Sequence, residues 1–169
     1  MILTDDECKK VISYHSYDKI NIHDYKYKQG IHKNRINYNI SIVPRDSNTQ
    51  WFFTKIHNFL LPNYPYNKVN EMDIFYNFEY YTGMKFSKHI DKQRDCSWHV
   101  VVGGILNEDF TGGKLIAYNP NCELAVNAGD LYLIPSEQEH EVTEVVSGVR
   151  YSFVFFISRE WLGIGKTIL

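Results

Sequence analysis

Residues 112–157 read GGKLIAYNPNCELAVNAGDLYLIPSEQEHEVTEVVSGVRYSFVFFI, and the punctuation of this run decides the fold class. Gly112-Gly113, Asn119-Pro120-Asn121, Ala128-Gly129 and Ser147-Gly148 break it into short, largely apolar stretches. Glycine enters the positive-φ region without steric cost, and Asn and Pro preset tight turns, so each break is a competent chain reversal. The stretches at 113–118, 122–126, 130–134, 140–145 and 149–157 are too short for helices, and several are rich in β-branched and aromatic residues. Upstream, the same reading gives strands over 72–81, 84–90 and 97–106. Many short strands at regular spacing predict an antiparallel sandwich or barrel.

Two helices precede the strands. Thr4 and Glu7 form a T-x-x-E capping box, after which Cys8, Val11, Ile12 and His15 fall on one face. A second helix is expected from about Ser47 to Leu61: Ser47 and Gln50 repeat the box, Phe52, Ile56, Phe59 and Leu60 make the stripe, and Pro62 stops it. Helices ahead of a run of strands make the class α+β, with the helices packed on one sheet. Between them, KINIHDYKYKQGIHKNR at 19–35 is basic and interleaved with tyrosines. It reads as a solvated hairpin or lid, or as a segment that holds a polyanion or a substrate.

The chain has 169 residues, which fits one domain over 1–169 burying roughly 70% of its unfolded surface. A formal charge of −2 provides no basic field and argues against nucleic acid as partner. No apolar run reaches the roughly 20 residues of a membrane span, and the first residues lack a signal-peptide core, so the expected setting is cytoplasmic. Cys8, Cys96 and Cys122 show no C-x-x-C spacing, which suits reduced thiols rather than a disulfide framework.

The chemistry starts at KFSKHIDKQRDCSW, residues 85–98. In an extended segment residues i and i+2 share a face, so His89 and Asp91 project together. An imidazole beside a carboxylate is two thirds of a 2-His-1-carboxylate iron site, or simply a polar pair at a strand end. The third donor is sought in Glu139–Ile157, read as a hairpin. With a three-residue loop at Val146-Ser147-Gly148, His140, Val142, Arg150 and Ser152 share one face. A two-residue turn at Ser147-Gly148 would send His140 and Arg150 to opposite faces. In the first register Arg150 lies about 13 Å along the sheet from His140, a gap that a metal, a five-carbon diacid and an extended Arg would span. The planar fork of Arg suits a carboxylate. Zinc hydrolysis fits less well, since no general base is marked beside the ligands.

Taken together, these segments resemble the iron(II)- and 2-oxoglutarate-dependent dioxygenases, most closely the prolyl-hydroxylase-like branch, over about residues 2–158. ILTDDECKKVI is similar to that branch's opening helix. YYTGMKFSKHID resembles its Tyr-x-x-Gly-x-x-x-x-x-His-x-Asp segment, at Tyr80, Gly83, His89 and Asp91. LNEDFTGGKLIAY resembles the strand pair with an F-x-G-G turn, and AGDLYLIPSEQEHEVTEVVSGVRYSFVFFI resembles the closing segment. The resemblance implies a double-stranded β-helix, or jelly roll, over about 72–158, with N-terminal helices over about 4–61 on its major sheet. It implies Fe(II) on His89, Asp91 and His140, with 2-oxoglutarate and O2 as co-substrates. Arg150 would meet the distal carboxylate, and Tyr80 would contact the co-substrate. Many members carry Tyr-Leu-Asn where this chain has Ile105-Leu106-Asn107, so a tyrosine that helps hold the co-substrate is missing there. Tyr80 or Ser152 is the expected replacement.

The implied reaction hydroxylates a C–H bond while 2-oxoglutarate becomes succinate and CO2, with ascorbate as an accessory reductant. Val100–Val102, Val142, Val154 and Phe156 are the expected apolar wall. By analogy the substrate is a peptide or protein prolyl residue, ahead of lysyl residues, a free amino acid or a nucleotide. Nucleic-acid repair members carry a second Arg six residues after the first, and that position here is Phe156. A non-enzymatic jelly-roll binding module is the rival class, and oligomeric state is left open.

Overall fold

The computed structural model describes residues 1–16, 19–20, 36–62, 74–91, 98–119 and 121–158. Most of the basic 19–35 stretch, Cys96 and the starts of the strands expected at 72 and 97 lie outside the described residues.

Helix α1 spans Asp5–Ser13, and its capping box is formed. Glu7 N donates to Thr4 Oγ1 at 3.3 Å and Thr4 N to Glu7 Oε2 at 2.8 Å, satisfying two amides left over at the helix start. A 3-10 turn, Tyr14–Ser16, continues it. Helix α2 spans Gln50–Leu60 and starts later than expected, because Ser47 does not cap it. Asp46 takes that role in part: its Oδ1 accepts from the amides of Asn48 at 2.7 Å and Thr49 at 3.0 Å. A carboxylate one residue earlier outcompetes a serine hydroxyl as acceptor. Gln50 is drawn away to Arg45 and Thr54.

Twelve strands accompany the helices among the described residues, and the first three stand between α1 and α2, so the expected order of two helices ahead of all strands does not hold: β1 Lys19–Ile20, β2 Ile36–Asn37, β3 Asn39–Pro44, β4 Ile74–Tyr81, β5 Lys85–His89, β6 Trp98–Ile105, β7 Phe110–Gly112, β8 Leu115–Ala117, β9 Cys122–Glu123, β10 Leu131–Pro135, β11 His140–Val142 and β12 Val145–Ser158. They form a double-stranded β-helix of antiparallel sheets. The seven-stranded sheet runs β1-β3-β4-β12-β6-β10, with β7 added to β12, and the five-stranded sheet runs β2-β5-β11-β8-β9.

Side-chain alternation divides the interior in two. One face of the large sheet, with Phe75, Phe153, Phe155 and Ile157, packs on Val11, Phe52, Phe53, Ile56 and Leu60 of the helices. The other face, with Phe78, Tyr80 and Ile134, meets Leu115 and Val142 of the small sheet. The expected apolar wall therefore splits: Val101 faces the space between the sheets, whereas Val100 and Val102 face the helices.

The expected hairpin is absent. β11 pairs with β5 and β8 in the small sheet, while β12 crosses over and pairs with β7, β4 and β6. Gly148 does have positive φ, 76°, but it serves a bulged stretch of β12 against β7 and not a turn. A Cβ there would lie 2.3 Å from the Asp109 carbonyl oxygen, so β7 approaches where only glycine fits.

Candidate active site

His89 closes β5 and His140 opens β11, and antiparallel pairing sets them directly opposite each other. Their rings lie 4.3 Å apart, centroid to centroid, and Phe86 stacks on His89 at 3.8 Å. Asp91, two residues beyond β5, is anchored by its amide, which donates to the Ser136 carbonyl at 3.1 Å. Its carboxylate lies 3.5 Å from His89 Nε2 and 3.4 Å from His140 Nε2. One donor atom from each of the three residues falls within a span of 4.8 Å.

The hydrogen bonds fix which nitrogen carries the proton. His89 Nδ1 is 2.9 Å from the Ser87 carbonyl and His140 Nδ1 is 2.8 Å from the Gln138 carbonyl. A carbonyl only accepts, so each Nδ1 donates and, in the neutral ring, each Nε2 presents a lone pair. Burial, opposed by the Asp91 charge, holds the His140 pKa below the ordinary imidazole value, which favours its neutral form. With both rings neutral, two imidazole lone pairs and a carboxylate face one another, which is the donor set of a cation site with coordination positions left open.

Across the interior, Arg150 projects from β12 of the large sheet and is 1% exposed. Its Nη1 donates to Ser152 Oγ at 2.7 Å, and the guanidinium lies 5.2 Å from the Tyr80 ring centroid. Among the described residues Arg150 Nε and Nη2 are buried without a hydrogen-bond partner. Buried guanidinium donors are ordinarily paired, so two open ones prescribe an anionic occupant with two acceptors. His89, Asp91, His140, Arg150, Tyr80 and Ser152 all line one cavity with Val101, Val142, Val154 and Phe156. The structure thus gathers the six expected residues, but from two facing walls and not one hairpin face. Ile105 opposes Ser152 and brings no polar atom.

Tyr132 on β10 also lines the cavity and was missed in the sequence. Its signal was Gly103-Gly104 inside β6, since glycine within a strand marks a close approach from a neighbour.

A jelly roll holding a 2-His-1-carboxylate set opposite a buried guanidinium defines a class, the metal-dependent oxygenases. Residues 76–158 match the family described as the 2OG-Fe(II) oxygenase superfamily, and that match together with the fold supports an oxidoreductase of the dioxygenase type for this chain. Its fold is shared with a prolyl-4-hydroxylase of Pseudomonas putida, at 17% identity, 93% of this chain, 88% of that one and TM-score 0.65. A Trichoplax adhaerens prolyl hydroxylase in complex with a hypoxia inducible factor peptide fragment matches at 17% identity, covering 94% and 80%, with TM-score 0.66. A viral collagen prolyl hydroxylase from Paramecium Bursaria Chlorella virus-1, in its 2OG complex, matches at 15% identity, covering 92% and 91%, with TM-score 0.65. No curated protein sequence matches the chain. Among the described residues no helix is long and apolar enough to cross a membrane.

Proposed function

We propose that this chain hydroxylates prolyl residues of a peptide or protein, with His89, Asp91 and His140 holding Fe(II) and Arg150 receiving the distal carboxylate of 2-oxoglutarate. The observation that carries the reading is the buried Arg150 fork, with Nε and Nη2 open, in the same cavity as the His–Asp–His cluster. A binding module has no use for an unmet charge in that place, because burying one without a partner is costly.

When bound, the metal and the diacid supply the oxidising power for C–H hydroxylation, with release of succinate and CO2. The chain's own residues bind, orient and exclude water. The Ser87 and Gln138 carbonyls keep both imidazoles aimed by their Nδ1 protons. Ser152 steadies Arg150, and Tyr80 backs it with a ring face. Val101, Val142, Val154 and Phe156 keep the reaction space apolar. No protein acid or base is required. The prolyl substrate is supported by the shared fold with prolyl hydroxylases, one of them in complex with a peptide. Ascorbate as accessory reductant and a cytoplasmic setting belong to the same reading.

The test begins without oxygen. Fe(II) and 2-oxoglutarate added together should give a visible charge-transfer band, and Asp91→Ala should abolish it. Admitting oxygen with proline-containing peptides should then yield succinate and a +16 product by mass spectrometry. No band, or one that survives Asp91→Ala, refutes the dioxygenase assignment; succinate formation with +16 products only from other pools refutes the prolyl substrate.

A further inference from the structure

Three hydroxyls on the large-sheet wall line the cavity that Arg150 shares, those of Ser152, Tyr80 and Tyr132. Ser152 is already engaged by Arg150 Nη1. Tyr132 sits directly opposite Gly103, and Gly103 in turn sits opposite Val154 of β12. A Cβ at Gly103 would lie 2.3 Å from both Cζ and Oη of Tyr132, so the phenol end occupies the space of the side chain that Gly103 lacks. The backbone at Gly103 is not in the positive-φ region, so the requirement there is for space. The absent side chain lets the hydroxyl cross β6 toward the β12 strand that carries Arg150. Both the Arg150 and the Asp91 charges act on the phenol, and all three residues line the same cavity. Burial pushes its pKa up to about 12, so it remains an O–H donor at neutral pH. No hydrogen bond with the described residues engages it.

We infer that Tyr132 donates its hydroxyl proton to the carboxylate that Arg150 receives, and that Gly103 is glycine so that the phenol can reach it. The inference rests on the function proposed above. It assigns the co-substrate a second donor on β10, from a position two strands away from Arg150, at a wall where Ile105 has none to give.

The test is calorimetric titration of the Mn(II)-loaded full-length chain with 2-oxoglutarate and with 2-oxobutyrate, which keeps the keto-acid head but lacks the distal carboxylate. Tyr132→Phe keeps the ring and should weaken 2-oxoglutarate about tenfold, the size of one hydrogen bond to a charged group, while 2-oxobutyrate and Mn(II) affinities stay unchanged. Gly103→Ala, with the phenol retained but displaced, should show the same selective loss. Unchanged 2-oxoglutarate affinity in Tyr132→Phe, or an equal loss for both keto acids, overturns the assignment and leaves Tyr132 a packing residue. A wild-type protein that binds neither keto acid would instead sink the functional reading, and this one with it.

Discussion

Arg150 is a permanent charge held where water does not reach it, and its neighbours meet only part of its donor capacity. Such a group costs stability when alone and gains it when its anion arrives. Arg150→Met, close in length and without charge, should therefore melt at or above the wild-type temperature in the absence of ligand, and 2-oxoglutarate should no longer raise its Tm. Differential scanning fluorimetry with and without the diacid checks both; a loss of several degrees without ligand, or retained stabilisation with it, contradicts the role given to Arg150. At this scale the sequence was readable where the geometry is local. His89 and Asp91 share a side because they are two residues apart near the end of a strand. The Nδ1 bonds were not readable, although each His reaches the carbonyl two residues before it, because the ring's orientation depends on what packs against it.

The start of α1 is an element whose reading survives intact, because a capping box is a bond between near neighbours. The same Glu7 carboxylate also binds Lys55 Nζ of α2, at 2.5 Å and 2.6 Å, and so ties the two helices together. The Lys55 hydrogen bond, then the Thr4 amide, holds the Glu7 pKa below its ordinary value of 4.5. A carboxyl depressed on folding stabilises the protein above its unfolded pKa and loses that contribution as pH falls through the folded one. The melting advantage of wild type over Glu7→Gln should thus be constant from neutral pH to about 5, then shrink as pH drops below 4.5. Melts from pH 7 to 3 measure it, and an advantage that grows toward acid would contradict the sign. The 140–157 segment fared differently. Both strands and the left-handed glycine were legible, but whether two consecutive strands pair depends on competitors elsewhere: β5 and β8 claim β11, and β4, β6 and β7 claim β12.

For the whole molecule, the large sheet is a partition with helices on one side and chemistry on the other. Phe52 of α2 meets Phe75, Phe153 and Phe155 at ring-centroid distances of 5.0, 4.8 and 5.5 Å. Phe153 and Phe155 alternate along β12 with Arg150, Ser152 and Val154, which face the cavity. Phe52→Ala should cost about 3–5 kcal/mol, read as a lower urea midpoint at unchanged slope; a shift under 1 kcal/mol would mean that this layer does not carry the core. Short strands at regular spacing made an antiparallel sandwich or barrel legible and the family resemblance implied the jelly roll, whereas strand order, set by contacts between distant segments, was not legible. The histidines hang from the five-stranded wall and the guanidinium from the seven-stranded one. Under the function proposed above, a diacid held at one end by the metal and at the other by Arg150 would be a rivet through the sandwich, and the separation of the walls the calliper that measures it. Chain length in the diacid would then be judged by the architecture as a whole, and a homologue one carbon shorter would leave one jaw empty.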